Sequence, residues 1–357
     1  MAQAGVLAFN IGAFVSTLFL LEFGADKFIA HTSTLARRIN ISEVIVGLLT
    51  AGAEWEELAV VVGALAQGRS SLALGNVVGA SISNILGAFS LGLLMHSGEE
   101  VVEFDRSARI YSLLLLVLTT VVAPVIYYST NITWFAGGIV LIAAFVVYFL
   151  LVAVAIGRGL LIAPEDSDSD SDSDDDGDEV ASVSSRTALL RENPSAAGSR
   201  RRRHGLGYHG LYLLFGFLAI CLAGYVLSQA ATNIIDELGM SDVLFSVVIL
   251  AIATTLPEKF IAVMSGFRGH AGILVANCAG SNIFLLSLCC GIIMVGTGGA
   301  LDKGTVTVTE LVTLWLSTAA FTVTVWFGAR YARWVGGAML VCYIVFIVLE
   351  FTIIHST

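Results

Sequence analysis

Residues 253–285, ATTLPEKFIAVMSGFRGHAGILVANCAGSNIFL, are the most informative part of this chain because they have a copy earlier in it. The copy is residues 52–84, GAEWEELAVVVGALAQGRSSLALGNVVGASISN. The two copies align without a gap, and they share a glutamate, a turn glycine and an asparagine at matching positions: Glu57 and Glu258, Gly68 and Gly269, Asn76 and Asn277. Chance similarity between apolar segments does not explain this shared spacing. The chain therefore contains an internal repeat.

The composition around the repeat is that of a membrane protein. Of 357 residues, 57% are hydrophobic and 13% are charged, and the mean hydropathy is +0.87. Soluble domains carry about 25% charged residues. A bilayer core needs about 20 apolar residues per helix. Ten runs reach the length of a transmembrane helix, and they are too continuously apolar to be the alternating strands of a β-barrel. They are 5–31, 41–66, 70–96, 107–127, 132–156, 207–231, 241–267, 270–296, 306–328 and 331–353.

The spacing of the two copies predicts the topology. Five predicted helices separate them, and an odd number means that the second copy crosses the membrane in the opposite direction. Inverted repeats are the architecture of many secondary transporters. We therefore predict an all-α integral membrane protein of about ten transmembrane helices in two inverted five-helix repeats. Its parts are an N-terminal half, 1–156, a linker, 157–206, and a C-terminal half, 207–357.

The charges predict the orientation. Much of the net charge of -10 comes from 166–179, DSDSDSDSDDDGDE, and Arg200 to Arg203 follow it. Such a polar segment cannot bury a core, so we expect a disordered, solvated linker. Lys and Arg concentrate in cytoplasmic loops. Their distribution predicts a multi-pass protein of the cell membrane with both termini outside and the linker 157–206 in the cytoplasm.

Several functional classes are disfavoured. The five cysteines lie in apolar stretches without zinc spacing or a disulfide framework, so we interpret them as packing residues. We find no phosphate-binding loop or nucleotide domain, so we predict neither an enzyme nor an ATP-driven pump, and no cofactor. The expected partners are small cations and the lipid bilayer, with no nucleic acid.

Two acids inside apolar spans are the first candidates for chemistry. Glu57 and Glu258 occupy matching positions, and an acid at the bilayer centre costs roughly 2.5–3.5 kcal/mol on insertion scales. Convergence on a cation at the midplane would offset that cost, because hard cations prefer carboxylate and carbonyl oxygens. The alternative is that each glutamate caps a helix or faces a loop.

Pro257, one residue before Glu258, removes a backbone donor, which would free carbonyls near Thr254 and Thr255 to bind a cation. The alternative is that the proline only produces a packing kink.

The second helix of each copy is unusually polar for a membrane span. Its amides and hydroxyls need partners or a wet cavity, and they are Asn76, Ser81, Ser83 and Asn84 in the first copy and Asn277, Ser281 and Asn282 in the second. Gly75 and Gly79 form a face of small residues, which is typical of close helix packing.

These residues resemble the two alpha repeats of the cation/calcium exchanger superfamily, which includes the sodium/calcium exchangers. Family members show Gly-Thr-Ser-x-Pro-Glu in each repeat, followed by Gly-Asn-x-x-Gly-Ser-Asn-x-x-Asn or a close variant. The second copy matches well at 253–258 and 280–283, and the first matches at 75–79 and Asn84. The resemblance covers nearly the whole chain, including the ten-helix layout and the long loop after helix five.

The resemblance implies a set of ion ligands. Glu57 and Glu258 would bind Ca²⁺ and, alternately, Na⁺ or protons. The carbonyl positions map to Ala53 and Thr254. The remaining neutral ligands would be hydroxyl and amide oxygens, which map to Thr255, Ser281 and Asn84.

This chain departs from the family pattern at three positions. Glu54 replaces a hydroxyl, Leu285 replaces the final polar residue of the second copy, and Ala80 replaces a small hydroxyl residue. The predicted site therefore contains Glu54 beside Glu57 and Glu258. Like charges this close do not all ionise without a cation, so we expect the empty site to bind protons.

The predicted function is antiport of Ca²⁺ against Na⁺ or H⁺ by alternating access, with helices one and six sliding against a core formed by the repeats. The changes at Glu54 and Leu285 favour an alternative, a proton-coupled exchanger or one for another divalent cation. The lost ligand positions favour another alternative, a degenerate member without transport or a channel on the same scaffold.

Overall fold

The structure is a computed structural model that describes residues 2–38, 54–96, 102, 104–128, 131–158, 206–298, 306–327 and 331–354. These residues are almost entirely helical. The helices are α1 (Ala2–Arg38), α2 (Trp55–Ala66), α3 (Ser70–Leu94), α4 (Arg106–Tyr128), α5 (Asn131–Gly157), α6 (Leu206–Leu238), α7 (Asp242–Thr254), α8 (Leu256–Phe267), α9 (Ala271–Thr297), α10 (Val308–Phe327) and α11 (Ala332–Leu349).

This architecture confirms the predicted all-helical membrane fold. Among the described residues, eight helices are long and apolar enough to cross a membrane, or nine if the bent pair α7 and α8 forms one span. The predicted second span, 41–66, is described only from residue 54 onward, where α2 begins at Trp55. Ala53 and nearly all of the linker 157–206 lie outside the described residues. Helix α6 extends to Leu238, beyond the predicted end at 231.

The predicted break before Glu258 is present. Helices α7 and α8 meet at an angle of 50°, and Thr255 is the residue between them. Pro257 lies in the first turn of α8, where its missing N–H would have no intrahelical acceptor in any case. The break places Glu258 in the first turn of a new helix, where the helix dipole favours negative charge.

Wide π-helical turns interrupt the inner helices. They occur at Ser83–Phe89 in α3, at Phe245–Leu250 in α7 and at Leu285–Cys289 in α9. The segment in α9 falls within the stretch that aligns with the segment in α3, so both repeats carry it. A π-turn rotates the following side chains relative to a regular helix, and such turns often occur at functional sites.

The two repeats form a buried core, and α1 and α6 pack together at its side. Most side chains of α3 and α9 are buried, whereas α1 and α6 expose many large apolar residues. Phe28 of α1 contacts Phe217 of α6 with ring centroids 6.1 Å apart, and His31 Nδ1 lies 3.0 Å from His209 Nδ1. This arrangement pairs the two helices for which the sequence predicted sliding.

The glycine face predicted on α3 is a site of close helix packing. A Cβ atom at Gly79 would collide with the backbone of Val247 in α7, and one at Gly75 would collide with the Ser246 hydroxyl. The two helices cross at backbone contact, and this crossing joins the first repeat to the second.

Gly79→Val is therefore expected to destabilise the folded protein strongly. Overpacking of a well-packed core typically costs about 1–3 kcal/mol, and we expect at least the upper value because the obstructing atoms belong to backbone. The measurement is the midpoint of thermal unfolding in detergent, together with the monodisperse fraction in size-exclusion chromatography. Gly12→Val is the matched control, since a Cβ at this helical glycine meets no atom within 4 Å. Equal midpoints for the two variants would contradict the packing assignment.

Candidate cation site

The glutamate of the first repeat is buried and held in place. Glu57 lies in the first turn of α2 and is 1% exposed. Asn76 of α3 donates a hydrogen bond from Nδ2 to Glu57 Oε2 at 2.5 Å. The side chain of Thr254, from the second repeat, lies close to the same carboxyl, and its hydroxyl donates to the Leu250 carbonyl at 3.0 Å. The first acid therefore meets the second repeat at the break between α7 and α8.

The glutamate of the second repeat meets the first repeat in turn. Glu258 is 6% exposed, and its carboxyl lies close to that of Glu54. Glu54 also lies close to the Ser281 side chain on α9. Ionised carboxylates only accept hydrogen bonds, so two carboxyls can bond to each other only when one of them carries a proton. This pair can thus hold either a proton or a cation between its oxygens.

An amide network below these acids joins α3 to α9. Asn84 donates from Nδ2 to Asn282 Oδ1 at 3.3 Å, and Asn282 donates from Nδ2 to the Ser81 carbonyl at 3.2 Å. The Cys278 thiol donates to the Asn84 carbonyl at 3.3 Å. The network uses the donors of both amides and leaves Asn84 Oδ1 as an acceptor.

Several buried oxygens here have no hydrogen-bond partner among the described residues. They are all acceptors: Glu57 Oε1, Glu258 Oε2, Asn84 Oδ1 and Asn76 Oδ1. A buried polar atom without a partner costs roughly 1–3 kcal/mol, so native structures rarely leave such atoms unsatisfied. A cation satisfies oxygens of this kind. No three His, Cys, Asp or Glu side chains in the described ranges are arranged to hold one metal ion, so neutral oxygens must complete any coordination shell.

The predicted residues divide into two groups in space. One group surrounds the acids and comprises Glu54, Glu57, Glu258, Thr254 and Ser281. Thr255 belongs elsewhere, because its hydroxyl donates to the Ala251 carbonyl at 2.5 Å and lies 3.0 Å from Ser83 Oγ. Asn84 lies in the amide network. Ala53 is outside the described residues, so its carbonyl stays a prediction.

Sequence reasoning missed Lys259, which directly follows Glu258. Its Nζ donates to Ser83 Oγ at 2.9 Å and to the Thr255 carbonyl at 3.0 Å, and it also contacts Thr255 Oγ1. A lysine inside a predicted span, next to a predicted ligand, was the signal that could have revealed it.

Glu56, left unassigned by the sequence, has Glu22 and Asp26 of α1 as acidic neighbours.

Comparison with known proteins identifies the family. The sequence profile described as "Sodium/calcium exchanger protein" matches residues 9–154 and 208–352, which is most of both halves. The chain belongs to this sodium/calcium exchanger family. It is a family of membrane transporters that exchange cations and not a family of enzymes. The resemblance inferred from the two repeats is therefore confirmed.

Individual relatives of this exchanger agree with the assignment. It is 27% identical over 293 residues to "Putative antiporter CaxA" of Alkalimonas amylolytica, with 80% of each chain covered. A structure of the sodium-calcium exchanger NCX_Mj superposes with a TM-score of 0.55 at 19% identity, covering 96% of this chain and 99% of that one. The native structure of YfkE gives a TM-score of 0.65 at 14% identity, with 96% and 91% covered. At these identities the two structures support the fold alone.

Proposed function

We propose that this exchanger moves Ca²⁺ in one direction and Na⁺ or H⁺ in the other, and that these ions compete for Glu57 and Glu258. The observation that carries the proposal is the pair of buried carboxylate oxygens, one from each repeat, that have no hydrogen-bond partner. Two carboxylates balance the charge of one Ca²⁺. An ion that leaves must be replaced by other positive charge, because an uncompensated buried charge is costly.

The surrounding atoms suit a hard cation. Ca²⁺ takes six to eight oxygen ligands at about 2.3–2.6 Å, including carboxylates, carbonyls and waters. Glu57 and Glu258 would supply charged oxygens. The proposed neutral ligands are the carbonyls of Ala53 and Thr254 and the hydroxyl of Ser281. Glu54 would add negative charge close to Glu258 without being a third carboxylate ligand of the same ion.

Alternating access follows from the inverted architecture. In transporters of this kind, one structural unit rocks or slides against another around a fixed midplane site. Helices α1 and α6 form the separate unit, and the repeats form the core. Support comes from NCX_Mj, whose structures were obtained with Na⁺ together with Ca²⁺ or Sr²⁺ and concern extracellular ion exchange and binding-site occlusion. We propose the orientation with both termini outside and the linker 157–206 in the cytoplasm.

The test is uptake of radioactive Ca²⁺ into sealed vesicles that contain the purified protein, under separate Na⁺ and pH gradients. We expect saturable uptake that requires an outward gradient of Na⁺ or H⁺. Ca²⁺ flux that needs no counter-ion gradient and does not saturate would indicate a channel. Absence of flux under every gradient would indicate a degenerate member of the family.

One observation favours coupling to protons. Glu54 and Glu258 lie close to each other, and two neighbouring carboxyls favour the binding of one proton when no cation is bound. In this alternative the proton shared by this pair is the counter-ion that Ca²⁺ displaces. The two gradients in the uptake experiment separate this alternative from sodium coupling.

Glu54→Gln tests the shared proton. Glutamine keeps the length of the side chain but cannot exchange a proton, so we expect proton-driven uptake to fall at least about tenfold, the equivalent of about 1.4 kcal/mol. Sodium-driven uptake should fall less. The control is Glu237→Gln, which removes an exposed acid near the end of α6. Equal losses of both driving modes in Glu54→Gln would argue against a proton shared with Glu258.

A further inference from the structure

The ammonium of Lys259 lies in a shell of neutral oxygens close to the acids. The shell consists of the Ser83 hydroxyl at 2.9 Å, the Thr255 carbonyl at 3.0 Å and the Thr255 hydroxyl. Tyr343 of α11 donates to Ser83 Oγ at 2.9 Å and so holds that hydroxyl in place. Hydroxyl and carbonyl oxygens arranged in this way are the ligands of a hard monovalent cation as well as of an ammonium.

The fold makes room for this side chain. A Cβ atom at Gly87, in the π-helical segment of α3, would lie 3.3 Å from Lys259 Cε and 3.4 Å from Tyr343 Cε1. The first distance is tighter than most side-chain contacts, so the lysine stem passes directly over a residue that lacks a side chain. The wide turn also begins at Ser83, the residue that accepts from the ammonium.

The positions that the repeat aligns with these residues do not form a second shell. In the gap-free alignment of the repeats, Lys259 pairs with Leu58, Ser83 with Phe284 and Gly87 with Leu288. The cation, its hydroxyl ligand and the glycine that admits its stem are therefore all replaced by large apolar residues. The shell therefore occurs around Thr255 and not around Glu54, the residue that aligns with it in the first repeat.

The charges explain why one half differs. At the position aligned with Thr255, the first repeat carries Glu54, so this half has gained a negative charge. Lys259 adds a positive charge in the other half, and it interacts electrostatically with Glu57 and Glu258. A cation buried near several carboxylates stabilises them without needing an ion from solution.

We propose that the Lys259 ammonium is a tethered monovalent cation that fills an oxygen shell able to bind Na⁺ in its absence, so that this exchanger binds and moves one Na⁺ fewer per cycle than it would without the lysine. The transport consequence rests on the function proposed above. The binding consequence does not, because the shell either admits Na⁺ or is closed to it whatever the protein transports.

Sodium binding to the purified protein tests the inference directly. An ion that binds only the folded state raises the free energy of unfolding with the logarithm of its concentration, in proportion to the number of ions bound. We expect Lys259→Gln to bind one more Na⁺ than the wild type, seen as a steeper dependence on Na⁺ at constant ionic strength. Lys27→Gln, at an exposed lysine of α1, is the matched control and should keep the wild-type slope.

A second variant gives an independent result if Lys259→Gln alone does not fold. Lys259→Gln removes a positive charge near Glu57 and Glu258. The double variant Glu54→Gln with Lys259→Gln restores the net charge and should also gain one Na⁺. In vesicles, the voltage at which net Ca²⁺ flux vanishes should shift by the amount expected for one additional Na⁺ per cycle. An unchanged number of bound Na⁺ in either folded variant would overturn the lysine inference. A wild type that carries no Ca²⁺ would contradict only the proposed function.

Discussion

Glu258→Gln is expected to abolish Ca²⁺ exchange. Glutamine has nearly the volume of glutamate, so the first turn of α8 should form as before. The substitution removes a buried negative charge, and it replaces one carboxylate oxygen by an amide group that donates instead of accepting. Removal of one partner from a buried charge pair costs about 3–5 kcal/mol, which corresponds to a loss of at least about a hundredfold in Ca²⁺ affinity.

The measurement is Ca²⁺ uptake into vesicles at a fixed protein density, with the Ca²⁺-dependent rise in unfolding temperature as a second readout. Glu237→Gln is the matched control, because Glu237 is an exposed acid near the end of α6. Uptake by Glu258→Gln at the wild-type rate would show that the cation does not bind this carboxylate, and the site proposed here would then be wrong.

Glu57→Gln is expected to cause a loss of the same order. The glutamine carbonyl can still accept the hydrogen bond from Asn76 Nδ2, so the contact between α2 and α3 is retained. The negative charge and the unpartnered Oε1 are both lost. Since Ca²⁺ would then face only the charges of the second repeat and Glu54, we expect uptake to fall at least about a hundredfold.

Asn76→Ala tests whether Ca²⁺ binding depends more on the charge of Glu57 or on the hydrogen bond that holds its carboxylate in position. It keeps the Glu57 carboxylate but removes its donor, which typically costs about 1–3 kcal/mol. We therefore expect a smaller loss than for Glu57→Gln, measured as the half-saturating Ca²⁺ concentration. If Asn76→Ala were the more damaging of the two, the main role of Glu57 would be structural and not ion binding.

Several features of this fold could be predicted from the sequence because they depend on residues close together in the chain. The length of each apolar run predicts a span, and the spans from α3 onward agree with the observed helices within a few residues, apart from the longer α6. Pro257 predicts the break that places Glu258 in the first turn of α8. The spacing of Glu57 and Glu258 in the two copies predicts that they belong to one site.

Contacts within the site join side chains from segments that are far apart in the chain and do not occupy matching positions in the two copies. Thr255 occupies a predicted ligand position, yet its hydroxyl faces Ser83 and Lys259 and not the glutamates. The proposed shell around Lys259 also needs Tyr343, which lies far away in the chain. Nothing in the alignment of the copies relates these residues.

Hydropathy and motif spacing act along the chain, so they are enough to predict a helical membrane protein with two inverted halves. Which buried oxygens lack partners, and which contact the Lys259 ammonium, depends on how the helices pack. A buried carboxylate, amide or ammonium pairs with the nearest complementary group in three dimensions, wherever that group lies in the chain. Across two antiparallel repeats, that group is set by the 50° bend at Thr255 and by the turn that begins at Ser83.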